Sequence, residues 1–100
     1  VLIIDDLYAV EWAFIPHFYR DFYVFQYATS ISGAAWFAEQ FLAGDENVRD
    51  AFIRVLSAGG SDYPHNILIN EAGLDMTLPE SYDPILRRMD SLMDRIEALL

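Results

Sequence analysis

The clearest periodic pattern in the chain lies near its end, where apolar residues recur at the three- and four-residue spacing of one α-helical face. The pattern opens at Asp83-Pro84, and arginines and acidic residues separate its apolar positions. This arrangement predicts an amphipathic helix with one continuous apolar face. The apolar positions are Ile85, Leu86, Met89, Leu92, Met93, Ile96, Leu99 and Leu100.

Two shorter helices are predicted before it. One begins after Asp45, a suitable N-cap residue, and keeps helical apolar spacing until Gly59-Gly60. The next begins at Ser61 or Asp62, carries Pro64 in its first turn and ends at Gly73. The segment from 74 to 82 is predicted to be a loop.

The first half of the chain predicts two further helices. The first starts near Asp5 or Asp6 and ends at Pro16, which breaks a helix. The second runs from Arg20 to Ala43 and ends at Gly44. No alternating run predicts a strand, so we expect an all-α fold of about five helices. Small residues of the long helix would let a neighbour approach closely: Ala28, Ser32, Gly33, Ala34 and Ala35.

The segment around a lone histidine is unusually aromatic. His17 is followed by six aromatic residues within ten positions. If this segment is α-helical, Phe18, Phe22 and Phe25 share one stripe, and Tyr19, Tyr23 and Tyr27 share another. Phenylalanines only pack, whereas each buried phenol hydroxyl needs an acceptor in the protein or on a ligand. The tyrosine stripe is therefore the candidate functional surface.

Composition suggests that some apolar surface belongs against another part of a larger protein. The chain is 54% hydrophobic, above the roughly 45–50% of ordinary soluble domains, and we expect it to be a fragment. Sixteen acidic residues against six arginines give a net charge of −10, which disfavours nucleic acid and anionic membranes as partners. The uncharged stretch 22–38 contains enough polar residues to favour a central helix over a membrane span.

Several chemistries are excluded or unsupported by residue type. The absence of lysine removes Schiff-base chemistry and the P-loop lysine. The absence of cysteine removes disulfides and thiolates, and it fits a cytoplasmic protein. The apolar start at 1–4 is too short for a signal peptide. Only His17 and His65 are present and they lie far apart in sequence, so no self-contained zinc site is expected.

Some residues keep alternative interpretations at this stage. The turn Gly59-Gly60-Ser61 could bind an anion, but a helix C-cap followed by an N-cap is the favoured interpretation. His17 either bonds to the local backbone or contacts a ligand, and His65 is expected at the surface. From the residues alone, interhelical hydrogen bonding explains the tyrosines better than catalysis does.

The sequence also resembles a known family. His17-Phe18-Tyr19 and the run from Phe22 to Thr29 resemble the C-terminal part of the oligoendopeptidase F enzymes of the M3 family of zinc metallopeptidases. The resemblance continues through Gly59-Gly60-Ser61-Asp62-Tyr63-Pro64 and Glu71-Ala72-Gly73-Leu74-Asp75-Met76-Thr77. It implies a mostly helical protein that cleaves short peptides in a cleft, where an HExxH helix and a later glutamate hold zinc.

The resemblance implies a division of labour, because those zinc-binding residues are absent from this chain. They would lie in the N-terminal remainder of the same polypeptide, and the isolated chain would be inactive. His17 and Tyr19 match the family's His-x-Tyr element, and Tyr23 and Tyr27 match its aromatic motif. These four residues would contact the substrate, with His17, Tyr19 and Tyr23 stabilising the oxyanion that forms on attack by zinc-bound water.

Two positions depart from the commoner family pattern. Phe25 stands where many members have tyrosine, and Ser30 where many have glycine. The rival hypothesis is a non-enzymatic helical interaction module, whose surplus apolar face binds a partner or a second copy of the chain. The two hypotheses are separated by the presence or absence of HExxH upstream.

Overall fold

The computed structural model describes residues 3–100, so Val1 and Leu2 of the apolar start lie outside the described part. The described chain contains four α-helices and three 3₁₀ helices, and none of these residues forms a strand. The all-α prediction is confirmed, and the first of the five predicted helices is a 3₁₀ helix. The α-helices are α1 (Phe25–Leu42), α2 (Glu46–Ala58), α3 (Pro64–Ala72) and α4 (Asp83–Glu97); the 3₁₀ helices are Asp6–Phe14, Pro16–Tyr19 and Pro79–Tyr82.

The predicted ends of α2 and α3 agree with the structure except at the start of α3. Asp45 caps α2, since its carboxylate accepts a 2.9 Å hydrogen bond from the Asn47 N–H. Gly73 ends α3 in the left-handed conformation, with φ of 68°. The N-cap of α3 is Tyr63, not Ser61 or Asp62. The Asp62 carboxylate accepts a hydrogen bond from the N–H of Tyr63, which lies just before the first residue of the helix.

The prediction that a long helix begins at Arg20 is wrong. Residues 20–24 form a turn, and α1 begins at Phe25. Asp21 and Phe22 have φ values of 49° and 53°, and this left-handed geometry interrupts the α-helical hydrogen-bond ladder. The segment 18–27 is therefore not one α-helix, so the two aromatic stripes do not form as predicted.

The core forms where α1 contacts the rest of the helical body. α1 packs on α2, α4 and the 3₁₀ helix Pro79–Tyr82, and α2 packs on α3. Phe37 of α1 is buried and meets Phe52 of α2 edge to face, with ring centroids 5.1 Å apart. The other buried apolar residues are Ala51, Ile67 and Leu74.

The segment after α3 is more structured than the predicted loop. Leu74 is 1% exposed, and the segment ends in the third 3₁₀ helix. Ser32 and Gly33 are buried in α1, as expected of small residues at a close contact. The neighbour at Gly33 is this segment rather than a helix: an added Cβ would lie 3.8 Å from Leu74 Cδ2 and 4.0 Å from Met76 Sδ.

The molecule exposes more surface than a self-contained domain of its size. Its accessible surface is 8364 Å², whereas a folded monomer of 11.5 kDa exposes about 5,800 Å². The radius of gyration is 18.0 Å, against about 13 Å for a compact 100-residue domain. Within residues 3–100, no helix is both long and apolar enough to cross a membrane.

Candidate functional site

A cluster of one histidine and two tyrosines forms where the chain enters α1. The short 3₁₀ helix Pro16–Tyr19 carries His17, the turn at 20–24 carries Tyr23, and the first turn of α1 carries Tyr27. The Tyr23 hydroxyl forms a hydrogen bond with His17 Nδ1 and lies 3.4 Å from the Tyr27 hydroxyl. The three ring centroids lie 5.8 to 6.2 Å apart. We call this group the His17–Tyr23–Tyr27 cluster.

The strained turn brings the cluster together. Left-handed geometry costs a non-glycine residue about 1–2 kcal/mol, and Asp21 and Phe22 both adopt it. The turn reverses the chain so that Tyr23 meets His17 of the preceding 3₁₀ helix. Phe22 itself is 90% exposed, so its own packing within residues 3–100 does not stabilise the turn.

The hydrogen bonds of the cluster can run in two directions, and each leaves one polar hydrogen free. If Tyr23 donates to His17 Nδ1, the proton of the neutral imidazole is on Nε2, and that N–H is free to donate. If His17 Nδ1 donates instead, Tyr23 donates to Tyr27, and the Tyr27 hydroxyl is free. Tyr27 is 56% exposed, so its ring remains accessible.

The contact between the two phenols affects the ionisation of Tyr23. The hydrogen bond with Tyr27 is the main cause that raises the pKa of Tyr23 above its ordinary value of 10.0, with partial desolvation as the next cause. This direction is expected when the neutral phenol is the donor, because ionisation would remove the bond. Tyr23 therefore stays a neutral hydrogen-bond donor at and well above neutral pH.

Tyr19 points away from the cluster. Its hydroxyl donates a 2.6 Å hydrogen bond to the Ala13 carbonyl, which ties the second 3₁₀ helix to the first. The predicted stripe of three tyrosines is therefore wrong for Tyr19, because its position precedes the turn. The predicted phenylalanine stripe does not pack either: Phe18, Phe22 and Phe25 are all exposed.

Apart from the cluster, the structure has a groove between α1 and α3, which the sequence did not predict. This groove has a volume of about 600 Å³, and the residues that line it include Phe25, Ser30, Tyr63 and His65. Phe25 and Ser30 thus face away from the cluster, so the absence of a hydroxyl at Phe25 takes no donor from it. Helical spacing could have predicted this orientation, because positions 25, 26, 29 and 30 lie on a different side of α1 from Tyr27.

His65 is half-exposed, and its Nε2 lies 3.9 Å from the Asp75 carboxylate. Hydrogen bonds from the Thr77 hydroxyl and backbone N–H lower the pKa of Asp75 below its ordinary range. The carboxylate thus stays ionised at neutral pH. The pair joins the start of α3 to the segment after it, and neither residue takes part in the hydrogen bonds of the His17–Tyr23–Tyr27 cluster.

Neither remaining candidate forms a ligand site within residues 3–100. No three His, Cys, Asp or Glu side chains in this part of the chain come together as a possible metal site. At the glycine pair, Gly59 caps the end of α2, and the Ser61 N–H already donates to the Ala58 carbonyl at 3.1 Å. This bonding confirms the C-cap part of the interpretation. The N-cap part is wrong, because the N-cap of α3 is Tyr63.

Comparison with known proteins assigns a family. The sequence profile described as Peptidase family M3 matches residues 5–89. The chain is 42% identical over 90 residues to Group B oligopeptidase PepB of Streptococcus agalactiae serotype III (strain NEM316), and 39% identical over 99 residues to Oligopeptidase PepF of Bacillus subtilis (strain 168). It is also 39% identical over 90 residues to the plasmid-encoded oligoendopeptidase F of Lactococcus lactis subsp. cremoris.

These alignments cover 90%, 99% and 90% of the chain, respectively, and 15% of each relative. The chain thus spans about 15% of the length of these relatives. No solved structure matches it significantly.

Proposed function

The chain belongs to peptidase family M3, and we propose that it forms the C-terminal part of a zinc-dependent oligoendopeptidase that hydrolyses short peptides. Its relatives are named oligopeptidases and oligoendopeptidases. The described residues do not fit a zinc site, so the proposal assigns the metal to the N-terminal remainder of the polypeptide. There zinc would supply Lewis-acid chemistry, and the chain by itself would be inactive. The proposal keeps the cytoplasmic location that a cysteine-free composition favours.

The observation that carries the proposal is the His17–Tyr23–Tyr27 cluster. Two phenols and an imidazole form one connected group, which ends in a free N–H or O–H. Such a donor can bind the carbonyl oxygen of a peptide, and the bond strengthens when negative charge builds on that oxygen. A bond that is stronger in the transition state than in the ground state raises kcat.

The four predicted residues take different parts in this proposal. Tyr23 connects His17 to Tyr27, and the oxyanion accepts from the hydrogen that the cluster leaves free, which belongs to His17 Nε2 or to the Tyr27 hydroxyl. Tyr27 also binds the substrate backbone. Tyr19 can make the same contact only by giving up its bond to the Ala13 carbonyl. We therefore rank Tyr19 after the cluster as a catalytic and substrate-binding residue.

The test uses the full-length polypeptide and a short fluorogenic peptide. We expect Tyr23→Phe or His17→Ala to lower kcat by at least about tenfold, which corresponds to 1.4 kcal/mol of barrier. Loss of one strong oxyanion donor typically costs about 3–4 kcal/mol. Zinc content, measured on the same preparations, should not change, because neither residue is assigned to the metal.

Tyr8→Phe is the matched control, because Tyr8 is an exposed tyrosine of the first 3₁₀ helix, outside the cluster. It should keep the parent kcat. If Tyr23→Phe, Tyr19→Phe and His17→Ala all stay within tenfold of the parent, the catalytic role is wrong. The interaction module would then be the better explanation for the exposed apolar surface.

A further inference from the structure

One side of the helical body carries a long, open, apolar surface between α1 and α4. It consists of three adjoining depressions of about 350, 400 and 510 Å³. Ala38, Leu42 and Arg88 line both the first and the third, and Leu92 and Arg95 of α4 line both the first and the second. We call this continuous surface the α1–α4 groove.

The groove has exposed apolar side chains on both of its sides. Leu42 is 82% exposed on the α1 side, and Leu92 is 42% exposed on the α4 side. Ile31 and Leu99 extend the exposed apolar stripe at its two ends. An exposed stripe of this length is typical of a surface that another element covers.

The charge along the groove is opposite to that of the chain as a whole. Three of the six arginines line it, although the net charge is −10. Arg87 is bonded to Glu39 of α1 at 2.8 Å. Arg88 and Arg95 form no ion pair within residues 3–100. They lie two helical turns apart on the same side of α4, which leaves two guanidinium groups beside apolar surface.

We propose that the α1–α4 groove holds an amphipathic helix from the rest of the same polypeptide. The apolar face of that helix covers the stripe, and its carboxylates pair with Arg88 and Arg95. The inference rests on one premise of the proposed function, which is that the chain is part of a longer polypeptide. Planar guanidinium groups beside apolar surface suit bidentate pairing with carboxylates.

The amount of exposed surface supports an occupant of this kind. The chain exposes about 2,500 Å² more than a compact monomer of its mass, which is the scale of a permanent interface. In these relatives, the part of the chain outside the match is about six times as long as the matched part. A covalently linked segment binds at high effective concentration, so it is favoured over a separate protein.

A second copy of the chain fits the groove less well. The four acidic residues of α4, which are Asp83, Asp90, Asp94 and Glu97, occupy the helix face opposite Leu92. Glu39 of α1 lines the groove but is already paired with Arg87. If two copies met at the groove about a two-fold axis, the groove arginines of one copy would face those of the other. The carboxylates of α4 would lie on the far side of the helix and could not pair with them. A partner must therefore supply its own negative charge.

Site-specific thiol labelling of the full-length polypeptide tests the proposal. The chain has no cysteine, so Leu92→Cys or Ser91→Cys places a reporter in the groove, and the labelled peptide is quantified by mass spectrometry. Ser91 lines the groove, and its replacement is nearly isosteric, so this variant should fold. Asp94→Cys on the opposite face is the matched control. We expect both groove thiols to react at least about tenfold more slowly than the control thiol under native conditions, at every protein concentration.

Equal labelling of groove and control thiols would overturn the proposal. Protection that disappears on dilution would also overturn it, because the occupant would then be a second copy. Arg88→Glu with Arg95→Glu should remove much of the protection at Ser91→Cys, and an unchanged protection would refute the charge pairing. The labelling rates do not depend on kcat. This experiment can therefore be interpreted even if the His17–Tyr23–Tyr27 cluster has no role in catalysis.

Discussion

At the scale of single residues, the site depends on which way each phenol points. The sequence grouped His17, Tyr19, Tyr23 and Tyr27 as candidate site residues, and the structure brings three of them together, His17, Tyr23 and Tyr27. The sequence could not separate Tyr19 from them. That separation follows from two left-handed residues, Asp21 and Phe22. Aspartate adopts this geometry more often than most residues do, but phenylalanine rarely does, so the sequence does not predict the pair. Whether the grouped residues act on a substrate stays a prediction.

The ionisation of Tyr23 gives a pH prediction at this scale. The bond with Tyr27 raises the pKa of Tyr23, and the proposed function requires the neutral phenol, which holds the cluster together. Tyr27→Phe removes this bond, so the pKa should fall towards its ordinary value. We expect the alkaline limb of kcat/KM of the full-length enzyme to move to lower pH, with Tyr8→Phe unchanged. An alkaline limb that stays in place or moves upward would contradict this.

Tyr19 provides a contrast in role. Its hydroxyl is bonded to the Ala13 carbonyl, so its replacement should mainly loosen the connection between the first two 3₁₀ helices. A hydrogen bond of this kind is worth about 0.5–1.5 kcal/mol. For Tyr19→Phe we expect faster amide exchange around residues 13–19 and a smaller fall in kcat than for Tyr23→Phe. An equal or larger fall in kcat would place Tyr19 ahead of the cluster.

At the scale of elements, local signals predicted α2, α3 and α4 well and the start of α1 poorly. The Asp45 cap, the Gly73 stop and the Asp83-Pro84 start each depend on residues within one helical turn. The burial of Leu74 depends instead on the distant Gly33. Tertiary contacts of that kind have no local sequence signal, so the sequence predicts only a simple loop for the segment after α3.

The same substitution at two glycines should have opposite effects on stability. Gly33 lies inside α1, where an added Cβ meets Leu74 and Met76 at ordinary contact distances. Gly33→Ala should therefore raise the free energy of unfolding by about 0.5–1 kcal/mol. Gly73 has φ of 68°, so Gly73→Ala should lower it by about 1–2 kcal/mol. Thermal unfolding of the full-length variants measures both, and equal signs would contradict the structure.

At the scale of the whole molecule, composition and structure agree on an incomplete core. The high hydrophobic fraction led us to expect surface that belongs against something else, and the described residues expose it on α1 and α4. Which faces would be exposed was not predictable, because the amphipathic pattern of α4 fits a buried face equally well. Family membership explains the surplus, since the chain spans about 15% of its relatives.

The most direct test of the central claim is a double-mutant cycle on kcat, with Tyr23→Phe, Tyr27→Phe and both together in the full-length enzyme. If the cluster acts as one unit on the reacting carbonyl, the double variant loses little more than Tyr23→Phe alone. We predict this non-additive result, with a loss of at least about tenfold in kcat for Tyr23→Phe and unchanged zinc content. Near-parent kcat in all three variants would contradict the account.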